Sequence, residues 1–333
     1  FFRMFEQDSV SVLSELAASS YDGLFDEGTA SFELLARQVR ASGAKVLLVS
    51  DGPDELCGGY RVDTRQYRFH RMAHEHPRRF HALALLNRSI WGRRILSYVR
   101  PKDYSVAETF RPDGMQFEPI HQAMSAPTLR GMFEADLVDL AGDAYGTQDA
   151  ETYADILPSL DFSQRVALSY AEKSLPDMFN LRMDKGIMRP SVECRVPLQA
   201  PELVELMIAT PAKWRYGTSL EATRVDLEFG MTKYILRKLV ERKIGSQIAF
   251  RNKYGFSLPL WRHPEVQRDL RMREVIADSS AFDALGFQPN VRSQALQVNT
   301  HLSEDLPARG KLMWFAFSVA MTYQRLQQRA AAK

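Results

Sequence analysis

The stretch Lys45-Val46-Leu47-Leu48-Val49-Ser50-Asp51-Gly52-Pro53-Asp54-Glu55-Leu56-Cys57-Gly58-Gly59-Tyr60 decides the fold class. Its first six residues form a short apolar run with glycine turns on both sides. A run of that length in that setting predicts a strand buried on both faces. Just upstream, Ser31 is placed as the N-cap of a helix through about Ser42, with Phe32, Leu35 and Val39 on one face and Gly43 positioned to end it. A helix, a short turn and a buried strand are one unit of a parallel α/β sheet.

The residues after the strand carry the chemistry. Asp51, Asp54 and Glu55 put three carboxylates into five residues past the strand's carboxyl end, where open α/β sheets bind their ligands. Gly52, Gly58 and Gly59 allow tight turns and close approach of a ligand to the backbone. Clustered acids repel unless a positive charge sits among them. Magnesium on a phosphate chain suits such a place, because it takes one or two carboxylates plus phosphate oxygens. The plain alternative is an acidic surface turn.

Two further stretches stand out. In Arg182-Met183-Asp184-Lys185-Gly186-Ile187-Met188-Arg189-Pro190-Ser191-Val192-Glu193-Cys194-Arg195-Val196-Pro197, charges alternate in sign between apolar residues. Partly buried charges need partners, so Asp184, Glu193 and Arg195 are expected to form an internal ion-pair network. Taken alone, the stretch has a structural reading. The third, Arg251-Asn252-Lys253-Tyr254-Gly255-Phe256, is a basic, glycine-bearing loop whose lysine could meet a phosphate or acyl group as a compact charge.

Composition bounds the rest. With 333 residues, 45% of them hydrophobic and 25% charged, the chain has the material for a sizeable core and is not generally disordered. No apolar run approaches the roughly 20 residues of a spanning helix. A net charge of +2 gives no global reason to seek nucleic acid. Cys57 and Cys194 cannot build a disulfide framework and are expected to pack as small apolar residues in a reducing, cytoplasmic setting. Residues 60–105 read as basic helices and 134–161 as acidic, so the two are expected to offset each other. Arginines in the first region make a weaker nucleic-acid reading; His70 and His74, one helical turn apart, make a weak metal reading, with Pro77 ending their helix. Thr232 is placed to cap a helix carrying Ile235, Leu236, Leu239 and Val240. A final helix is expected from about Gly310, with a frayed tail from Arg329.

Four ordered motifs resemble the synthetase domain of glutamine-dependent asparagine synthetases. They are Ser50 to Tyr60 (family pattern S-G-(D/E)-G-x-D-E-x-x-G-G-Y), Asp184 to Pro197, Lys233-Tyr234-Ile235-Leu236-Arg237, and Arg251 to Phe256. The resemblance implies an α/β fold with a parallel-sheet adenine-nucleotide α-hydrolase-like (ATP-pyrophosphatase) core, incomplete at its N-terminus, and a mostly helical C-terminal portion. It implies a carboxylate activated by ATP as an acyl-adenylate with release of pyrophosphate, then attacked by ammonia to give an amide and AMP. The implied substrate is aspartate, the cofactors ATP and Mg2+, and the ammonia source glutamine, hydrolysed by an N-terminal glutaminase domain. Position by position, Asp54 matches the carboxylate that helps hold magnesium on pyrophosphate, with Ser50, Gly52 and Glu55 beside it in the nucleotide-binding turn. Asp51 matches a family position, Asp or Glu, near the reacting acyl group, suited to position ammonia or to accept a proton from it. Lys253 matches the lysine that neutralises charge on phosphate and acyl oxygens. Tyr60, Asp184, Glu193, Arg195, Lys233 and Arg237 fall to the substrate pocket or its scaffold.

The sequence also departs from the family. The phosphate-binding signature S-G-G-x-D-S does not occur in these 333 residues, and the chain begins at Phe1. Residues 1–325 therefore read as a partial synthetase domain, with its first strand and phosphate loop upstream, and 326–333 as a flexible tail. The expectation is a C-terminal fragment of a longer enzyme, inactive alone, or one subunit of a split one, with a homodimer as the candidate assembly. Val49-Ser50 stands where Ser-Gly is usual, Gly186 where Ser or Thr is common, and Ala200 where an Asp precedes Pro201-Glu202-Leu203; losing that cap costs ~1 kcal/mol. Such divergence keeps open a β-lactam- or macrocycle-forming relative that uses an internal amine, and a non-catalytic scaffold or regulatory subunit.

Overall fold

A computed structural model describes residues 28–88, 91, 152–217, 232–251, 270–296 and 306–332. Helix α1 (Gly28–Ala41) leads through a turn at Gly43 into strand β1 (Val46–Leu48). The helix ends where the sequence says: the Ser42 and Gly43 amides donate to the Gln38 and Arg40 carbonyls, both at 3.0 Å. It starts earlier than expected. Ser31 lies inside the helix at 1% exposure and caps nothing. Tertiary packing displaces the cap, because both sides of α1 are covered. Ala30 and Leu34 face the C-terminal helices, while Phe32, Ala36 and Val39 face the strand and the helix that precedes its partner.

Strand β1 pairs in parallel with β2 (Glu193–Arg195), in the register Val46↔Glu193, Leu47↔Cys194, Leu48↔Arg195. The Glu193 amide to Lys45 and the Val49 amide to Arg195 extend the ladder at each end, at 2.8 and 3.0 Å. The parallel pairing agrees with the sequence. Burial on both faces does not: Leu47 and Val49 pack on Phe32, Ile187 and Val192, whereas Val46 is 41% and Leu48 68% exposed. Side chains alternate along a strand, and among the described residues only one face of β1 is covered.

Past β1, Pro53 opens the one-turn helix α2 (Pro53–Leu56), a position where its missing N–H costs nothing. Helix α3 (Arg61–Glu75) breaks at His76 and α4 (Pro77–Arg88) begins at Pro77, as expected. Most of the rest of the basic region and residues 134–151 of the acidic region lie outside the described residues. Asp161 builds a capping box with Gln164 at the start of α5 (Phe162–Ser169). The chain then winds as a π-helix, Tyr170–Asn180, which accommodates Pro176, before tightening into α6 (Leu181–Met188). Helix α6 crosses α1 closely: a Cβ on Gly186 would come within 2.6 Å of the Thr29 carbonyl oxygen and 2.9 Å of Phe32 Cβ.

After β2 come α7 (Pro201–Ala209) and α8 (Ala212–Tyr216). Ala200 stands at the N-cap of α7 and supplies no side-chain cap, as the sequence departure implies. Helix α9 (Tyr234–Lys243) is capped at Lys233, in left-handed backbone conformation (φ 53), and not by Thr232, which is buried. Helices α10 (Ser246–Ala249), α11 (Leu270–Asp278), α12 (Ala281–Ala284), α13 (Asn290–Leu296) and α14 (Leu306–Ala331) complete the described chain. The last begins before Gly310 and continues through Ala331, into the stretch expected to fray. Met272, Ile276, Phe282, Val291 and Phe317 make its core with Ala30 of α1. The result is a helix-rich chain around a small parallel sheet.

Candidate active site at the end of the first strand

Ser50 is exposed where β1 ends. The chain reverses through Asp51 and Gly52 into α2, which places Asp51 and Asp54 at one mouth. Both side chains are partly open, at 24% and 28%. Arg182 Nη2 lies 3.4 Å from Asp51 Oδ1, and Lys233 Nζ lies 2.9 Å from Asp54 Oδ1. Burial pushes the Asp51 carboxyl above its ordinary range; Arg182 works against that shift and Asp54 adds to it.

Why glycines follow Asp54 is geometric. The Gly59 amide donates to the Asp54 carbonyl at 2.7 Å, and a Cβ on Gly59 would lie 1.9 Å from Asp54 Oδ1. Any side chain there would displace the carboxylate. Gly58 has φ +69, and its Cβ would strike Tyr216 at 2.6 Å. Its carbonyl accepts from the Lys233 amide at 3.2 Å. Lys233 is thus fixed to the loop through backbone and side chain alike.

Glu55 behaves differently. It is 4% exposed, and its carboxylate accepts a hydrogen bond from the Tyr60 hydroxyl. Burial raises the Glu55 carboxyl and holds the Tyr60 proton far above its usual range. Of the three clustered acids, two face the mouth and Glu55 faces inward with Tyr60.

The predicted internal network of Asp184, Glu193 and Arg195 does not form. Glu193 and Arg195 pair with each other at 2.7 Å on the surface, 53% and 60% exposed, and Asp184 is exposed on α6. The reason is strand alternation: Cys194 points inward, so both neighbours point out. Arg237 is scaffold, donating to the Thr232 and Ala249 carbonyls at 2.8 and 2.7 Å. Lys253 lies outside the described residues. His70 stacks on Phe162 at 5.0 Å and meets His74 at 4.5 Å. No group of three or more metal-ligating side chains occurs among the described residues. Cys57 is buried with Sγ 3.2 Å from Met207 Sδ, and its thiol is pushed up to about 11 by burial. That is a packing cysteine, as expected, and Cys194 is partly buried in the core beneath β1.

Three residues escaped the sequence reading. Arg215, 1% exposed, donates to the carbonyls of Thr210 (2.9 Å), Ile208 (3.2 Å), Met207 and Leu56. It ties the C-terminal ends of α2 and α7 together, where a cation also complements the helix dipoles. Glu33, 1% exposed, is held by Arg37 at 2.5 Å and Arg189 at 3.5 Å. Arg182 is the third. Their partners are remote or main-chain, so only Glu33 with Arg37, four apart on a helix, left a local signal.

The carboxylate pair lies just beyond the carboxyl end of a parallel strand, where open α/β sheets bind their ligands, and comparison with known proteins narrows the class. Residues 3–314 match the family described as asparagine synthase, a family of ligases whose domain has the ATP-pyrophosphatase fold. The chain belongs to that family. Proteins provisionally named asparagine synthetase (glutamine-hydrolyzing) from Mycobacterium bovis and from two strains of Mycobacterium tuberculosis are 26% identical over 274 residues. The match covers 76% of this chain and 35% of each relative, so the chain spans about a third of their length. No solved structure matches the chain. Among the described residues, no helix is long and apolar enough to cross a membrane.

Proposed function

We propose that the protein works as an ATP-dependent amide-forming ligase of the asparagine synthase type. Aspartate, ATP and ammonia would give asparagine, AMP and pyrophosphate, with the ammonia drawn from glutamine by a glutaminase domain, in the cytoplasm. The observation that carries this reading is the pairing of Asp51 and Asp54 at the carboxyl end of β1 in a chain of this family.

The donor set fits magnesium on a phosphate chain. Asp54 offers a partly open carboxylate already facing a cation, and Gly59 leaves room for it. Asp51 is the second oxygen donor within reach of the same mouth; Glu55 is engaged by Tyr60 and is not. Bound there, magnesium would neutralise phosphate charge. Lys233 adds a positive charge on the same side, and Lys253 is assigned the charge developing on phosphate and acyl oxygens. Asp51, ionised, takes the proton that the attacking amine must lose as the new C–N bond forms.

The test uses the intact protein with ATP, Mg2+, aspartate and either ammonium or glutamine. The expected outcome is one asparagine, one AMP and one pyrophosphate per turnover. ADP and phosphate as products, or pyrophosphate release indifferent to every carboxylate offered, would remove the reading.

A further inference from the structure

Strands β1 and β2 run parallel, so both deliver their carboxyl ends to the same side. The turn after β2 therefore lies beside the turn after β1, and one side chain from it, Gln199, reaches the candidate site. Gln199 closes a single 3-10 turn, Pro197–Gln199, where its main-chain amide donates to the Val196 carbonyl at 2.9 Å. Its partner Asn180 is the last residue of the π-helical segment, a winding that recurs at functional sites. Neither residue belongs to the motifs that marked the chain.

The two side-chain amides pair in both directions. Asn180 Nδ2 donates to Gln199 Oε1 at 2.8 Å, and Gln199 Nε2 donates to Asn180 Oδ1 at 3.0 Å. That ring fixes the plane of the Gln199 amide. A primary amide has two N–H donors, and the second goes to the Asp51 carbonyl at 3.3 Å. The aliphatic part of the same side chain covers Gly52, where a Cβ would lie 2.8 Å from Gln199 Cγ. The next links are main-chain: the Leu56 amide donates to the Gly52 carbonyl at 2.8 Å, and the Cys57 amide to the Pro53 carbonyl at 3.1 Å. The start of α2, and with it Asp54, is built on the turn that Gln199 holds.

We propose that Gln199, oriented by Asn180, is a positioning residue of the candidate site: its amide fixes the Asp51–Gly52 turn so that Asp51 and Asp54 face one mouth. Arg182 and Lys233 act on the carboxylates themselves; Gln199 acts on the main chain that carries them. The inference rests on the reading of this mouth as the place of magnesium-bound phosphate, and the two parts of its test separate one from the other.

Hydrogen exchange at the Leu56 and Cys57 amides of the intact protein reports the turn, while the amides of Ala316 and Phe317, buried on α14, report global opening. Gln199→Met keeps an unbranched stem on Gly52 and deletes the amide. Exchange at Leu56 and Cys57 is expected to quicken about fivefold, what one ordinary hydrogen bond is worth, with Ala316 and Phe317 unchanged. Calorimetric titration of Mg2+ at fixed ATP is the second readout, and the same variant is expected to need about fivefold more magnesium for binding. Asn180→Leu leaves Gln199 in place but unoriented. It should move both readouts in the same direction, and it carries the test if Gln199→Met does not fold. Exchange unchanged at Leu56 and Cys57, or quickened equally at all four amides, would overturn the proposal and leave the amide pair as packing. A loosened turn with unchanged magnesium affinity would overturn it too. If the unaltered protein binds no ATP with magnesium, the functional reading falls, and local loosening in Gln199→Met still upholds the hold of Gln199 on the turn.

Discussion

The loop from Ser50 to Tyr60 and the stretch from Gly186 to Arg195 are alike as sequences, dense in charge and punctuated by apolar residues. In the folded chain they part company. The acids of the first find partners brought from far away: Asp51 meets Arg182, 131 residues on, and Asp54 meets Lys233. Of the charges in the second, Glu193 and Arg195 pair locally, two residues apart, on the open face of β2, and only Arg189 reaches a distant partner, Glu33 of α1. At the candidate site both acids at the strand end are met across elements; the pair that closes on its neighbour decorates a strand.

The contrast can be broken most severely at Arg215. Its guanidinium serves four main-chain carbonyls in the interior, one of them at the end of the Asp54 helix. Arg215→Met should lower stability by about 3 kcal/mol, as expected when hydrogen bonds to a buried charged group are lost. Urea denaturation measures this, and a loss below about 1 kcal/mol, the net worth of one ordinary hydrogen bond, would show that the carbonyls find other donors.

Next comes Gly186, where the second stretch makes its own structural contribution. Gly186→Ser would press against Thr29 and Phe32 at the α1–α6 crossing and should cost about 2 kcal/mol. Arg195→Ala, nine residues later in the same stretch, should leave the denaturation midpoint unchanged, since the pair it removes is exposed. Equal losses in the two variants would erase the distinction between packed and decorative residues there.

The smallest measurable shift is expected at Glu55. Its carboxyl is raised by burial, so it favours the folded state most fully below the unfolded carboxyl range, and that contribution fades as pH rises through the folded value. Glu55→Gln keeps an acceptor for Tyr60 and removes the buried charge. It should raise the thermal midpoint at neutral pH and change it little near about pH 4, where an ordinary glutamate is half protonated. The opposite pH dependence would mean that the buried charge is net stabilising.

What the sequence could show follows from the range of each signal. The turn at Gly43 and the break at Pro77 rest on contacts within a few residues, and the sequence records such contacts; strand β1 was legible from its own short apolar run, although its parallel partner is the distant β2. The positions of Asp51 and Asp54 were legible because a strand end and a glycine-rich turn are local too. Glu55 was not separable from its neighbours, since its inward direction depends on one turn of α2 and on Tyr60. The start of α1 and the cap of α9 were misplaced where tertiary contacts outweighed capping preference: Ser31 is buried by remote helices, and Lys233 is drawn into left-handed conformation by Gly58 and Asp54. Arg182 and Arg215 left no local mark at all, because a guanidinium that serves distant groups resembles any other arginine in sequence.

Everything proposed for the site turns on Asp54 as the carboxylate that meets magnesium and phosphate. Pyrophosphate release by the intact protein, followed across a magnesium titration for the unaltered enzyme and for Asp54→Asn, puts that role to the test. If Asp54 holds the metal, the variant should need roughly tenfold more magnesium with the fold preserved, in line with the loss of one charged ligand interaction. An unchanged magnesium dependence at unchanged turnover would contradict that role and leave the Asp54–Lys233 pair as a structural clip.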